Sequence, residues 1–126
     1  TKNIETFYGS VINIGILGNA EVVTKDNSTK IEYTKELKNK ILTINGNITN
    51  KTRNTLSVAV IYTVSRILNS KYHSIKGQGF YLGPNESEHF SFTFNLKDLS
   101  DSEIRDLQLR QTILRDNTYY KLESVD

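Results

Sequence analysis

The chain has 126 residues, of which 37% are hydrophobic and 24% charged, with a formal net charge of +2. This length suits one domain over residues 1–126, and the composition is that of a folded chain, which excludes an extended disordered segment. The small net charge does not indicate a polyanionic partner, so we expect no binding of nucleic acid, and the absence of cysteine excludes disulfide and thiol chemistry.

The chain begins at Thr1, and no apolar run approaches the ~20 residues that span a bilayer. We interpret it as a piece excised from a longer exported product, which meets the membrane only through an anchor that this chain lacks. Its abundance of Asn, Lys, Ile and Thr resembles that of proteins from low-GC bacteria. We therefore expect an extracellular or cell-surface location, in a Gram-positive bacterium.

The first third of the chain predicts short strands. Residues 5–14 are predicted as one strand and residues 15–19 as a turn, because the glycines in this region disfavour a helix. The β-favouring runs 20–24 and 30–34 flank a polar stretch with the composition of a hairpin loop. For residues 35–38 the sequence leaves open a half-turn of helix or a loop.

The strongest pattern lies between Lys40 and Phe94, where apolar and polar residues alternate with the period of a half-buried strand. One apolar face runs from Leu42 to Ile48, and a second runs from Leu56 to Val64. The second run also has Ala59 and Ile61 on its other face, which predicts a central strand covered on both sides. The residues predicted to point inward include Leu42, Ile44, Val58, Val60, Phe90 and Phe92, and those predicted to point outward are Thr43, Asn47, His89 and Ser91.

The next segment, Tyr72 to Leu82, contains Gly77 and Gly79, which in a strand indicate a bulge or a close approach of another backbone. A turn follows at residues 83–86, because Pro84 presets its own φ and Asn85 tolerates the left-handed region. Three phenylalanines then alternate with polar residues and supply a large share of the core. They are Phe90, Phe92 and Phe94.

Near the end, Ser100 and Glu103 have the spacing of a helix capping box, with Leu99 and Ile104 placed as a hydrophobic staple. This predicts a short helix near residues 101–107. Residues 107–114 are predicted as a strand, and a last β run at 118–122 is predicted to close a hairpin. The fold class is therefore all-β, an immunoglobulin-like antiparallel β-sandwich of about 7–9 strands with one short helix.

The middle of the chain contains a series of short motifs in a fixed order. They are Gly46 and Asn50, then Val58, Val60 and Tyr62, then Gly83, Pro84 and Glu86, and finally Phe90 and Phe92. These motifs resemble those of FxLYD-type and related immunoglobulin-like domains of bacterial lipoproteins and surface proteins. After Tyr62, Thr63-Val64 stands where the family has an aromatic-acidic pair. The resemblance implies an exported binding or spacer module without assigned catalytic residues.

No motif for catalysis, metal or cofactor binding stands out. The only histidines, His73 and His89, are too few for a typical zinc site. The acidic residues 98, 101 and 103 lack the spacing and the turn glycine of a calcium loop, and helix N-terminal acids explain them more simply. Residues 77–79 lack the third glycine of a phosphate-binding fingerprint. We therefore expect no catalytic residue, no metal ligand, no cofactor and no enzyme activity.

Three functions remain open. The first is a non-catalytic module that recognises a protein through a sheet face or by adding a strand at an open edge. The second is a structural spacer, with a Lys-Asn isopeptide cross-link as one option. The third is a carbohydrate-binding or enzymatic site lined by tyrosines, with Tyr72, Tyr81, Tyr119 and Tyr120 as the candidate binding residues and Tyr8 beside them.

The sequence also contains Asn-x-Ser/Thr triplets, the acceptor pattern for N-glycosylation. They start at Asn27, Asn47, Asn50 and Asn85. An Asn- and Thr-rich chain produces such triplets by chance, and that is the interpretation that we favour.

Overall fold

A computed structural model of the chain describes residues 4–9, 11–66 and 73–115. These residues form nine strands and one short helix, which confirms the predicted all-β sandwich. The elements are β1 (Ile4–Tyr8), β2 (Val11–Gly15), β3 (Ala20–Lys25), β4 (Thr29–Lys38), β5 (Ile41–Asn50), β6 (Leu56–Arg66), β7 (His73–Leu82), β8 (Ser87–Asn95), α1 (Asp101–Arg105) and β9 (Leu107–Arg115).

The strands form two sheets. The five-stranded sheet has the order β1-β3-β4-β5-β8, and the four-stranded sheet has the order β2-β9-β6-β7. The neighbours are antiparallel except for β1 and β3, which run parallel, so the purely antiparallel sandwich that we predicted is wrong at this one pair. The parallel pairing arises because the chain leaves the five-stranded sheet after β1, forms β2 in the other sheet and then returns.

Six of the strands have the neighbours of an immunoglobulin variable-type sandwich. The order β4-β5-β8 corresponds to A-B-E, and the order β7-β6-β9 corresponds to C′-C-F. Strands β1 and β3 extend the first sheet, and β2 pairs with β9 along the edge where strand G lies in that fold. Strand β6 has β9 on one side and β7 on the other, so its predicted central position is confirmed. The predicted cover on both faces is wrong, because Ala59 and Ile61 on its outer face line an open groove.

The core lies between the sheets and follows the predicted alternation. The inward faces of β5 and β6 are buried, whereas Asn47, His89 and Ser91 are exposed on the outer face. Phe90 and Phe94 are almost fully buried, and Phe92 is partly buried against the same core. The predicted faces are therefore correct, with Phe92 nearer the margin of the core than expected.

The single strand that we predicted over residues 5–14 is wrong. Gly9 adopts a φ of +119°, which few other residues tolerate, and the chain turns there from β1 into β2 of the other sheet. The amide of Gly9 donates to the carbonyl oxygen of Lys25 at 3.0 Å, which anchors this turn to β3. The glycine was visible in the sequence, but the change of sheet depends on partners distant along the chain.

The hairpin predicted around residues 25–29 is confirmed, because Asp26 Oδ1 accepts hydrogen bonds from the amides of Ser28 and Thr29 at 2.9 and 2.8 Å.

The half-turn or loop predicted at residues 35–38 is wrong, since these residues complete β4. Lys35 points into the protein, and its ammonium group donates to the carbonyl oxygens of Leu17 and Gly18. These hydrogen bonds stabilise the strand conformation at Lys35, although the local sequence is polar.

The predicted capping box is confirmed. Ser100 Oγ accepts from the amide of Glu103 at 3.2 Å, and the Glu103 carboxylate accepts from the amide of Ser100 at 2.9 Å. Helix α1 ends at Arg105, two residues before the predicted end, because β9 begins at Leu107. The predicted β run at 118–122 lies outside the described residues. Within the described part, both edges of β9 are occupied, by β2 and by β6.

Candidate interaction surface

The tyrosines proposed as a binding site are not brought together where they can be located. Tyr72, Tyr119 and Tyr120 lie outside the described residues. Tyr81, on β7, is 76% exposed, and Tyr8, on β1, is 77% exposed. Strand β7 contacts β8, which is at the opposite end of the five-stranded sheet from β1. Tyr8 and Tyr81 therefore lie on opposite edges of the sandwich.

The motif residues Gly46 and Asn50 have structural roles. Asn50 is buried and donates through Nδ2 to the carbonyl oxygens of Asn54, Leu82 and Gly83, at 2.8, 3.1 and 3.0 Å. At Gly46 a Cβ atom would come within 2.5 Å of Tyr33 Cβ and closer still to a backbone oxygen, so only glycine fits. These two residues hold the sandwich together and are not available to a ligand.

Two further motif residues also serve the fold. The hydroxyl of Tyr62 donates to Gln111 Oε1 at 2.9 Å, and Gln111 Nε2 donates to Thr24 Oγ1 at 2.9 Å, in a buried chain that joins the two sheets. Burial, with a smaller contribution from the neighbouring Tyr33, raises the pKa of Tyr62 well above 10.0. The Glu86 carboxylate accepts a hydrogen bond from the amide of Gly83 and closes the turn between β7 and β8.

The burial of Asn50 also bears on the glycosylation triplets. Its Nδ2, the atom to which a glycan would be attached, makes three hydrogen bonds inside the protein. The side chains of Asn27, Asn47 and Asn85 are exposed. The triplet at Asn50 is therefore part of the fold and is not an acceptor in the folded protein.

The buried Lys35 and the buried Asn50 are an obvious pair to consider for an isopeptide cross-link. In the register of β4 with β5, Lys35 lies opposite Ile44 and Asn50 lies opposite Thr29. Six residues of strand separate the two positions, on the order of 20 Å at ~3.3 Å per residue. These two side chains therefore cannot form a cross-link with each other.

The outer face of the five-stranded sheet carries a shallow groove of about 240 Å³, lined by polar and apolar residues. Its lining includes Glu21, Glu32, Asn47 and His89, which come from four neighbouring strands. Glu32 forms an ion pair with Lys30 at 3.5 Å, and Asn45 accepts from the hydroxyl of Ser91. These mutual contacts are those of a solvated polar sheet face.

Strand β7 forms an edge of the four-stranded sheet. It is ten residues long and pairs with β6 on one side, and among the described residues no strand pairs with its other side. Its register with β6 is unbroken, so the bulge considered at Gly77 and Gly79 is absent. Gly77 marks a close approach instead, since a Cβ there would lie 3.1 Å from Ile61 Cγ1.

The outer face beside this edge is apolar. We define the β7 surface as Ile75, Gly77, Gly79 and Tyr81 of β7 with Ala59 and Ile61 of β6. Ile75 is 58% exposed and Tyr81 76% exposed. Beside Ile75 lies an open groove of about 270 Å³, which is also lined by the two glycines, Gln78 and the β6 residues Ala59 and Ile61. Apolar side chains exposed beside an unpaired strand edge are a feature of interaction sites.

The inner face of β7 is held to the rest of the sandwich. Lys76 is on the same face of β7 as Phe80 but stays exposed, and its ammonium group donates to the carbonyl oxygen of Thr93 on β8 and lies 5.5 Å from the centre of the Phe94 ring. Phe80 packs against the core through a tilted contact with Phe90, at 6.5 Å between ring centres. The edge strand is therefore anchored on its inner face, while its outer edge meets no strand within the part of the chain that the structure describes.

The two histidines of the sequence are not brought together. His73 is the first residue of β7, two positions before Ile75 on the same face of the strand, whereas His89 lies on β8 of the other sheet, and both are exposed. Across residues 4–9, 11–66 and 73–115, no group of three or more His, Cys, Asp or Glu side chains could hold a metal ion. Nor does the described region contain a helix with the length and apolar character needed to cross a membrane.

Tyr81 was predicted as a binding residue from the sequence, but the β7 surface around it was not. The available signal was that Ile75, Gly77, Gly79 and Tyr81 occupy the face of the strand that would ordinarily be polar. The groove itself could not be predicted, because it needs the pairing of these residues with Ala59 and Ile61.

The chain matches no protein-family model, and a search of curated proteins gave no match. The resemblance to FxLYD-type domains therefore rests on the quoted motifs, whose residues Gly46, Asn50 and Tyr62 all have structural roles here.

Proposed function

We propose that this chain is a non-catalytic protein-interaction module of an exported, surface-anchored bacterial protein, and that its contact site is the β7 surface. The observation that carries the proposal is the ten-residue strand β7, whose outer edge pairs with no strand of the described residues and lies beside exposed apolar side chains. The resemblance to FxLYD-type domains supports an exported context, and the polar composition of the other sheet face favours this edge as the site.

The proposed mode of recognition is strand addition. An extended segment of the partner pairs with the free edge of β7, where main-chain hydrogen bonds supply affinity. The groove beside Ile75 then accepts an apolar side chain of the partner, because Gly77 and Gly79 leave space above Ile61 and Ala59. Specificity comes from the side chain that fills this groove, since the backbone contacts are common to all sequences.

Site-specific photo-crosslinking in the source cell tests this proposal. We replace Tyr81 by p-benzoylphenylalanine in the full-length protein and compare it with the same replacement at Tyr8, which is equally exposed but lies on the opposite edge. The expected result is a protein adduct at position 81 that is absent at position 8. Equal adducts at the two positions, or none at position 81, would overturn the proposed contact site.

A charge variant provides a second readout. We expect Ile75→Lys/Tyr81→Lys to reduce the affinity for the cross-linked partner at least tenfold, because lysines replace the apolar side chains that the partner covers. The matched control is Val11→Lys/Tyr8→Lys, since Val11 is 58% exposed, as is Ile75. Equal affinities for the two variants would contradict the proposal.

A further inference from the structure

We propose that the partner at this site is a second copy of the same chain, and that two β7 strands pair antiparallel about a two-fold axis through Gln78. The proposal rests on the proposed function, because it requires the β7 surface to be the contact site. The two four-stranded sheets would then join into one continuous eight-stranded sheet. The contact is isologous, the arrangement found in most homodimers.

Sheet geometry restricts the possible registers. In the joined sheet, the outer faces of the two copies must lie on the same side. With a two-fold axis perpendicular to the sheet, this requires that one residue of β7 lies directly opposite the same residue of the second copy. Two such registers pair nine residues of β7, one centred on Gly77 and the other on Gln78. In the first, Ile75 lies opposite Gly79 of the second copy, and Tyr81 lies opposite His73.

The register centred on Gln78 is self-complementary. It places Ile75 of each copy opposite Tyr81 of the other, twice across the interface, and Gly77 opposite Gly79. Directly opposed aromatic and β-branched side chains each contribute favourably to an antiparallel pair, whereas the register centred on Gly77 leaves both large side chains facing small or polar ones. The two exposed apolar residues of β7 therefore serve as each other's partners.

The charges of the strand are compatible with this pairing. Strand β7 contains no acidic residue, and its one lysine, Lys76, lies opposite Phe80 of the second copy in the register centred on Gln78. The Lys76 ammonium group is directed toward β8 of its own copy, where it is bound by the carbonyl oxygen of Thr93. No two like charges of β7 face each other in this register.

The other edge strands are less suited to this contact. Strands β1 and β2 are five residues each. Strand β8 is nine residues long, but its outward residues are Ser87, His89, Ser91, Thr93 and Asn95, all polar.

Nine paired residues of β7 with two Tyr81 and two Ile75 side chains bury on the order of 1,000 Å², near the lower limit of specific interfaces. The expected dimer is accordingly of micromolar affinity.

Sedimentation equilibrium of the purified 126-residue chain tests the proposal. We expect a monomer–dimer equilibrium in the micromolar range, weakened at least tenfold by Ile75→Lys/Tyr81→Lys and unchanged by Val11→Lys/Tyr8→Lys. A chain that stays monomeric up to several hundred micromolar overturns the proposal, as does a dimer that tolerates the β7 lysines. An adduct of position 81 with a different protein, together with a monomeric chain, would overturn the second copy as partner and leave the interaction module intact.

A single cysteine tests the register, because the chain has no other thiol. Opposed residues of an antiparallel pair have Cβ atoms about 4.5–5.5 Å apart, against about 7–8 Å for diagonal ones. We therefore expect Gln78→Cys to form a disulfide-linked dimer under mild oxidation much faster than Asn47→Cys, an exposed control on the other sheet. Equal rates for the two variants overturn the pairing about Gln78.

Discussion

Asn50 Nδ2 donates a hydrogen bond to the carbonyl oxygen of Leu82 at 3.1 Å, which links the last residue of β5 to the last residue of β7 in the other sheet. The same amide reaches Asn54 and Gly83, and its Oδ1 accepts from the amide and hydroxyl of Thr52. One buried side chain thus fixes both the loop after β5 and the turn that follows the edge strand.

Replacing this side chain should destabilise the protein strongly. We expect Asn50→Ala to lower the free energy of unfolding by about 2–3 kcal/mol, because it leaves carbonyl groups and the Thr52 donors without partners in a buried site. Chemical denaturation measures this loss. The matched control is Asn47→Ala, on the exposed face of the same strand, which should change stability by no more than about 0.5 kcal/mol. Similar losses for the two variants would contradict the assigned role.

Gly46 should tolerate no side chain. In Gly46→Ala the new Cβ would lie within 2.5 Å of Tyr33 Cβ and near the backbone of β4, so the two strands must separate. The expected loss is about 1–3 kcal/mol of unfolding free energy. Gly15→Ala is the control, because a Cβ at Gly15 meets no atom within 4 Å. Thermal unfolding of both variants checks this, and a Gly46→Ala protein as stable as Gly15→Ala would refute it.

The phenylalanines of β8 should differ in their contributions. Phe90 is almost fully buried, and we expect Phe90→Ala to cost about 3–5 kcal/mol of unfolding free energy. Phe92 is partly buried, at the margin of the core, so Phe92→Ala should cost clearly less. Denaturant midpoints of the two variants, at an unchanged slope, measure the difference. A larger loss at Phe92 would mean that the packing of β8 is not as described.

The raised pKa of Tyr62 predicts a loss of stability in alkali. Below pH 10 the hydroxyl is protonated in the folded and the unfolded chain, so its contribution is fully present. Above that pH the unfolded chain releases the proton first, and the free energy of unfolding falls by up to about 1.4 kcal/mol per pH unit from this one group.

Tyr62→Phe isolates this effect. The variant should be less stable than the wild type at pH 7, because Gln111 loses its hydroxyl donor. Between pH 10 and 12 its stability should fall less steeply, so that the two unfolding free energies converge. Parallel pH profiles would show that Tyr62 does not ionise on unfolding.

The alternation of residues was sufficient to predict most of the strands. The faces of β5, β6 and β8 followed from the period of two, because a half-buried sheet requires an apolar residue at every second position. The capping box at Ser100 likewise predicted where α1 begins, since its hydrogen bonds join residues three positions apart. Such local rules need no knowledge of the rest of the chain.

The candidate site was predicted only in part. Tyr81 was named, but so was Tyr8, which lies at the opposite edge. Which strands stand at an edge depends on pairings between distant segments, such as β6 with β9, and no local pattern specifies them. The extension of β4 through Lys35 was missed for the same reason, because its stabilising partners, Leu17 and Gly18, are distant in sequence.

The amino-acid sequence by itself determined that this protein is an all-β chain with particular buried faces, because side-chain direction in a strand alternates whatever the strand's neighbours are. Tertiary structure decided which side of β7 is left unpaired and which residues surround it. Strand order results from the free energy of the whole sandwich, in which the buried Asn50 and Tyr62 join segments that the linear sequence keeps apart. The β7 surface therefore became visible only once both sheets had been assembled.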